Sequence, residues 1–166
     1  MPNKALNLTP TRCAHASLRA PAQVSSSVRL PTEHPMLHPD QFQVNEAWIA
    51  FRLNDAPIHT ESDGDFNCVA LMDAASCFIL TSAFVPTNEA EPSKAEARRL
   101  LKEGRSHKRE LPKTLFVPSG QPANNLTLEA EGQRVTVVCV PEDQLFLFIG
   151  EAREAFKEHF GGGSMQ

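Results

Sequence analysis

The chain has 166 residues with a formal net charge of −4, which suits one domain with a single core plus tails. It carries no global basic field to draw nucleic acid or an anionic membrane. No apolar run approaches the roughly 20 residues needed to span a bilayer; a run such as Leu145 to Ile149 is far too short.

Residues 1–40 lack hydrophobic periodicity and are rich in Pro, Ser and Ala, the composition of a disordered tail. Up to Thr32 this tail contains no Asp or Glu, while Lys4, Arg12, Arg19 and Arg29 are basic. Such a pattern suits a solvated tail, an organelle transit peptide, or upstream sequence ahead of a translation start at Met36. His34 and His38 flank prolines and read as incidental rather than as metal ligands. Residues 41–160 form the expected α/β domain, and residues 161–166 a flexible end.

Within the domain, Glu46 to Leu53 is a strand or a short helix; so brief a run does not separate the two. Asn54-Asp55-Ala56-Pro57 is turn chemistry, and Ile58 opens another extended piece. In Glu61-Ser62-Asp63-Gly64-Asp65, glycine is free to take positive φ. The aspartates are spaced faintly like a calcium loop, but the later ligand positions run into an apolar strand, so a plain turn is the reading. Two apolar runs follow: Phe66 to Met72, closed by Asp73, and Cys77 to Val85. The connection Ala74-Ala75-Ser76 is short enough only for an antiparallel hairpin, and the apolar content of both strands predicts a sheet covered on both faces.

Ser93 with Glu96 three residues on is a capping-box signature. The helix it opens is expected over Lys94–Glu103, burying Ala97, Leu100 and Leu101 and stopping at Gly104. Arg98, Arg99, Arg105, Lys108 and Arg109 make this helix end and its exit loop locally basic. That is a solvated face favourable to the helix dipole, or a nucleic-acid contact. A strand at Thr114–Val117 ends at Pro118-Ser119-Gly120, a helix is expected over Asn124–Glu131, and Arg134–Val140 is the clearest strand. Pro141 suits the first turn of a last helix, whose Leu145, Phe148, Ile149, Ala152, Phe156 and Phe160 share one face. Three of the four cysteines (Cys68, Cys77, Cys139, with Cys13 in the tail) lie in apolar runs, which suits buried, reduced thiols and a cytoplasmic setting.

The order of two or three antiparallel strands, helix, strand, helix, strand, helix resembles the ribonuclease H-like fold, a three-layer α/β architecture with a mixed sheet. The family includes the cores of retroviral integrases and DDE transposases, and small bacterial domains that keep the fold without an obvious active site. Catalytic members place carboxylates on the first strand, on or after the fourth, and on the last helix, to hold two magnesium ions about a shared-metal distance of 3.5–4 Å apart. The resemblance puts Asp73 at the first position and Glu151 or Glu154 at the third, with Asp73 and Glu154 as the catalytic pair. At the second position VPSG offers only Ser119; Asp63 or Asp65 is the nearest alternative carboxylate. A missing middle ligand points to a non-catalytic interaction or regulatory module, without a cofactor and with a protein partner. A Mg2+-dependent nuclease or transposase-derived enzyme is the alternative. A nucleic-acid-binding module acting through residues 98–113 is the second alternative.

Overall fold

The computed structural model describes residues 35–161; the readings placed on residues 1–34 and 162–166 lie outside it. The described residues form a six-stranded sheet with helices on both sides. Strand β1 (Ala47–Arg52) is followed by β2 (Ile58–Thr60), β3 (Gly64–Asp73) and β4 (Ile79–Pro86). Helix α1 (Lys94–Lys108), β5 (Thr114–Pro118), α2 (Asn124–Gly132), β6 (Thr136–Val140) and α3 (Phe146–Gly161) complete the chain.

Register fixes the layout. β4 pairs antiparallel along one edge of β3, while β1 and β2 pair antiparallel with successive stretches of its other edge. The Asn54–Pro57 turn interrupts what would otherwise be one strand. β1 is also paired in parallel with β5, and β5 in parallel with β6. Parallel neighbours need a crossover, which α2 supplies between β5 and β6. This is the element order and mixed pairing that the ribonuclease H-like resemblance implies.

The short run Glu46–Leu53, ambiguous by sequence, is therefore the central strand. Successive side chains of a strand face opposite sides, and β1 supplies both cores. Ile49 and Phe51 join Ala70, Met72, Phe116 and Val138 under Leu145, Phe148 and Ile149 at the start of the last helical segment. Trp48 and Ala50 join Leu71, Leu115, Val117 and Val137 under α1 and α2, through Ala97, Leu101, Leu126 and Ala130. Both faces of the sheet are covered, as the apolar strands predict.

Several boundaries differ from the sequence reading, each for a local physical reason. Leu37 belongs to the domain: it is buried, and its N–H donates to the carbonyl of Gln144 at 2.9 Å. Arg134 takes φ +65°, so β6 starts only at Thr136. Pro141 precedes a single 3-10 turn, Glu142–Leu145, and the α-helix begins after it. Cys68 and Cys77 carry free thiols, whereas Cys139 is disulfide-bonded, which departs from the expectation of a reduced thiol there.

Gly104 is the most instructive difference. Helix α1 runs through it to Lys108 and ends with Arg109 in the left-handed conformation at φ +64°. Its glycine is a packing residue, because a Cβ there would lie 2.9 Å from Leu71 Cδ2 and 2.9 Å from Trp48 Cζ3. Alanine is ordinarily about 1 kcal/mol better than glycine inside a helix, but the buried indole cannot move aside cheaply. Gly104→Ala is expected to lower the unfolding free energy by about 1–3 kcal/mol. A raised denaturation midpoint for that variant would contradict the packing account.

Candidate functional site

Asp73 ends β3 and is completely buried. One carboxylate oxygen accepts from the Asn45 N–H at 2.7 Å; the other accepts from the Ser76 N–H at 3.0 Å and the Ser76 hydroxyl at 2.6 Å. Ser76 lies in the β3–β4 turn, so part of this is the familiar closing of a turn by an aspartate. The bond to Asn45 is long-range and ties the end of β3 to the entrance of β1. Asn45 holds φ +65°, a conformation asparagine tolerates better than most residues. Its side chain accepts from Trp48 Nε1 at 2.8 Å and donates to the Glu110 carbonyl at 3.3 Å. Asp73, Asn45, Trp48 and the loop after α1 are thus one connected polar network.

Asp73 stands on β3; the strand that opens the sheet and bridges its antiparallel and parallel halves is β1, AWIAFR, which has no Asp or Glu. The last-helix candidates separate. Glu151 faces an apolar groove between α3 and the β3–β4 hairpin, together with Cys77. Burial pushes the Cys77 thiol up, and the charges of Glu151 and Asp73 add to it. Glu154 lines a different recess with Asp55, Glu142 and Lys157, and Lys157 pairs with it at 3.4 Å. Among the described residues no group of three His, Cys, Asp or Glu side chains is arranged to hold a metal ion. Asp63 stays on the turn entering β3, and Asp65, the second residue of β3, sits opposite His59 of β2 and faces its ring.

The loop VPSG reaches a cleft of about 360 Å³ beyond the C-terminal ends of β1 and β5, lined by Arg52, Asp55, Glu91, Ser119, Glu142 and Arg153 among others. Ligand sites of open α/β sheets commonly occupy this position. Here Glu142 and Asp55 in the cleft wall are ion-paired within the fold. Arg153 binds Glu142 at 2.5 Å, donates twice to the Arg52 carbonyl at 3.1 and 2.9 Å, and lies 3.7 Å from Asp55. Gln121 bridges the Arg52 N–H and Glu142 at 2.7 and 2.8 Å. Glu91 caps α2, accepting from the Asn125 N–H at 2.9 Å. Burial pushes the Glu142 carboxyl up, but Arg153 and Gln121 outweigh it and hold it below its ordinary range. Lys157 does the same for Asp55, with Arg153 adding to it.

The basic segment divides. Arg98 pairs with Glu129 at 3.0 Å, and Arg99 with Glu96 and Glu103 at 2.7 and 2.9 Å. Glu103 also accepts from Thr81. Arg105 and Arg109 are exposed and Lys108 half-buried; among the described residues none of the three makes an ion pair. No helix of the described residues is long and apolar enough to cross a membrane.

Sequence reasoning singled out Asp73 but missed Asn45, its partner, and the cleft residues Arg153, Glu142 and Gln121. An Asn immediately before an apolar strand was the available signal for the first. For the second, Glu142 and Arg153 lie eleven residues apart, a spacing that in one continuous helix would leave them about 16 Å apart along the axis, and the pair forms because Glu142 belongs to the preceding 3-10 turn rather than to α3.

No protein-family model matches the chain, and no curated protein matches its sequence. Among solved structures it is similar to the simian T-cell lymphotropic virus intasome in complex with PP2A regulatory subunit B56 gamma, at 11% identity and a TM-score of 0.45. That match covers 78% of this chain but 45% of the other, so the chain spans less than half of its counterpart. The catalytic core domain of BIV integrase is similar at 11% identity and 0.44, covering 74% of this chain and 75% of that one. The catalytic domain of Mos1 mariner transposase follows at 11% and 0.42, covering 74% and 72%. Likeness at this level bears on neither activity nor partner.

Two outcomes test this geometry. Asp73→Ala orphans buried donors, and Asp73→Asn turns an amide donor toward one of them, so each should cost about 2–3 kcal/mol in chemical denaturation. Unchanged stability would remove the structural role of the carboxylate. The carboxyls of Asp55, Glu103 and Glu142 lie below their ordinary values when folded. Their contribution is therefore complete above an unfolded-state pKa of about 4–4.5 and is lost as pH falls through the folded values. Arg153→Gln should flatten the loss of stability between about pH 5 and 3 relative to the parent; parallel profiles would contradict the Arg153 pairing.

Proposed function

We propose that the chain is a non-catalytic interaction or regulatory module on a ribonuclease H-like framework. The observation that carries this reading is the state of Asp73. Both of its oxygens are used by Asn45 and Ser76, and it has no exposed surface. A two-metal site needs carboxylate oxygens converging on a solvent-accessible cleft, where substrate phosphate can enter. Here the cleft at the strand ends presents Arg153, Gln121 and the VPSG loop, and the Arg153 guanidinium is already ion-paired with Glu142 and Asp55. Magnesium chemistry by Asp73 and Glu154 is the reading this arrangement favours least.

For an interaction module the relevant surfaces are those left incompletely covered. The outer edge of β4 is unpaired among the described residues, and Phe84 on that strand is 56% exposed. At the far end of α3, Phe160 is 55% exposed although it continues the helix's apolar face. An unpaired edge next to exposed aromatic surface is the kind of feature that recruits another polypeptide.

A second reading, nucleic-acid contact through the C-terminal end of α1, is favoured by Arg105, Lys108 and Arg109, which have no carboxylate partner among the described residues. Arg98 and Arg99 do not belong to it, since their guanidinium groups are engaged within the fold.

Incubation with single- and double-stranded DNA and RNA in Mg2+ or Mn2+ should give no cleavage above a metal-free control. Divalent-dependent cleavage that Glu154→Gln abolishes without loss of stability would overturn the non-catalytic reading. Retention on nucleic acid, if present, should fall steeply with salt, and the triple Arg105→Ala, Lys108→Ala, Arg109→Ala variant should lower the log–log salt slope by about 2–3. Absence of retention at low salt would eliminate the second reading.

A further inference from the structure

The outer edge of β4 has no strand partner among the described residues, and the register says which main-chain groups point out of it. Cys68 turns both of its main-chain groups toward β1. Its N–H donates to Asn54 Oδ1 at 2.6 Å, and its carbonyl accepts from the Leu53 N–H at 2.7 Å. Opposed residues of an antiparallel pair either both face each other or both face away, in alternation along the strand. Phe84, opposite Cys68, and Ser82, opposite Ala70, therefore point their N–H and C=O groups away from β3. The edge is interrupted on either side of them. Leu80 is unmatched where the register shifts, and Pro86 has no N–H to offer.

One of these outward groups is already engaged. Arg99 Nη2 donates to the Ser82 carbonyl at 3.3 Å, where the N–H of an added strand would have to sit. The same guanidinium is held by Glu96 through Nη2 at 2.7 Å and by Glu103 through Nη1 at 2.9 Å. Glu103 in turn accepts from the Thr81 hydroxyl, and the His107 ring meets that of Phe78 edge-on. Arg99, Glu103 and His107 recur at four-residue spacing, so one stripe of α1 lies along β4. Covering an edge is one way a fold keeps another strand from adding to it.

Without that cover the edge is self-complementary. Two antiparallel β4 strands related by a two-fold axis at Ala83 set Ser82 of one copy opposite Phe84 of the other. Both pairs then exchange N–H and C=O bonds, which satisfies the outward groups of Ser82 and Phe84 in each chain. The Phe84 rings, exposed in the single chain, become diagonal neighbours on one face of the joined sheet.

We propose that Arg99 is a latch on the outer edge of β4: bonded to the Ser82 carbonyl it keeps the edge closed, and when it is withdrawn two copies of the chain pair β4 to β4 about Ala83. The inference rests on the interaction-module reading and supplies its regulation, since the edge named there opens only when a side-chain contact is lost.

Sedimentation equilibrium of the full-length chain over a range of concentrations reads the latch. Arg99→Ala should dimerise at a concentration roughly tenfold or more below that of the parent, because each copy loses a charge-assisted bond that competes with pairing. Arg99→Lys keeps the positive charge on α1 but lacks the planar fork that joins Glu96, Glu103 and Ser82, and should behave in the same way. Adding Ser82→Pro to either variant removes an outward N–H without touching the β3–β4 ladder, and should restore the parent's behaviour. In the dimer the amides of Ser82 and Phe84 should exchange with deuterium more slowly than in the parent. Association of both Arg99 variants equal to the parent's would overturn the proposal. Association that survives Ser82→Pro, or that leaves the Ser82 and Phe84 amides unprotected, would place the contact elsewhere and overturn it equally. Mg2+-dependent cleavage of nucleic acid removes the module reading whatever the oligomeric state, whereas Arg99 variants that stay monomeric and do not cleave remove only the latch.

Discussion

The structure depends on a single long-range polar contact, the bond from the Asn45 N–H to the Asp73 carboxylate. Asn45 opens the central strand and Asp73 closes its longest neighbour, so this bond sets where β1 begins relative to β3. The adjacent backbone bonds, Ala74 N–H to the Ala47 carbonyl and Lys113 N–H to the Glu46 carbonyl, extend the same junction to β5. Trp48 then leaves β1 with its ring nitrogen tied to Asn45 and its ring under Gly104. One buried carboxylate thereby fixes the register of the sheet, the position of its only tryptophan and the closeness of α1. Such groups are costly inside a protein unless every hydrogen bond is made. Here no buried side-chain polar atom among the described residues lacks a partner.

The same contact explains why a carboxylate at a strand end need not signal chemistry. A metal ligand must leave lone pairs facing solvent; Asp73 turns its own inward to three donors. At the other end of the strands, where open sheets commonly bind ligands, Arg153 stands among Glu142, Asp55 and the end of β1. An arginine is always charged and cannot be displaced by a change of protonation. The cleft therefore holds a countercharge for Glu142 and Asp55 as part of the fold, with Glu142 accepting a hydrogen bond from that guanidinium.

Much of the architecture was legible because its signals are local. The Ser93 cap, the β-branched run before Pro141 and the hairpin of two apolar strands all announce themselves within a few residues. What escaped was non-local. Gly104 reads as a helix stop because glycine ordinarily ends helices, and only the approach of Trp48, far away in sequence, gives it another purpose. Glu46–Leu53 reads ambiguously because a fully buried strand loses its alternation; its centrality comes from pairing on both edges. Leu37 lies among prolines and polar residues, and only the Gln144 carbonyl draws it into the domain. Asp73 itself was found by sequence, but its role was set by Asn45, 28 positions earlier.

The most direct measurement of whether Asp73 is a structural acceptor or a metal ligand is paramagnetic broadening by Mn2+ in a backbone-amide NMR spectrum. With the carboxylate saturated by Asn45 and Ser76, the amides of residues 45, 73 and 76 should broaden no more than the average buried amide as Mn2+ is added. Selective broadening at those three positions, reversed by excess Mg2+, would contradict the account.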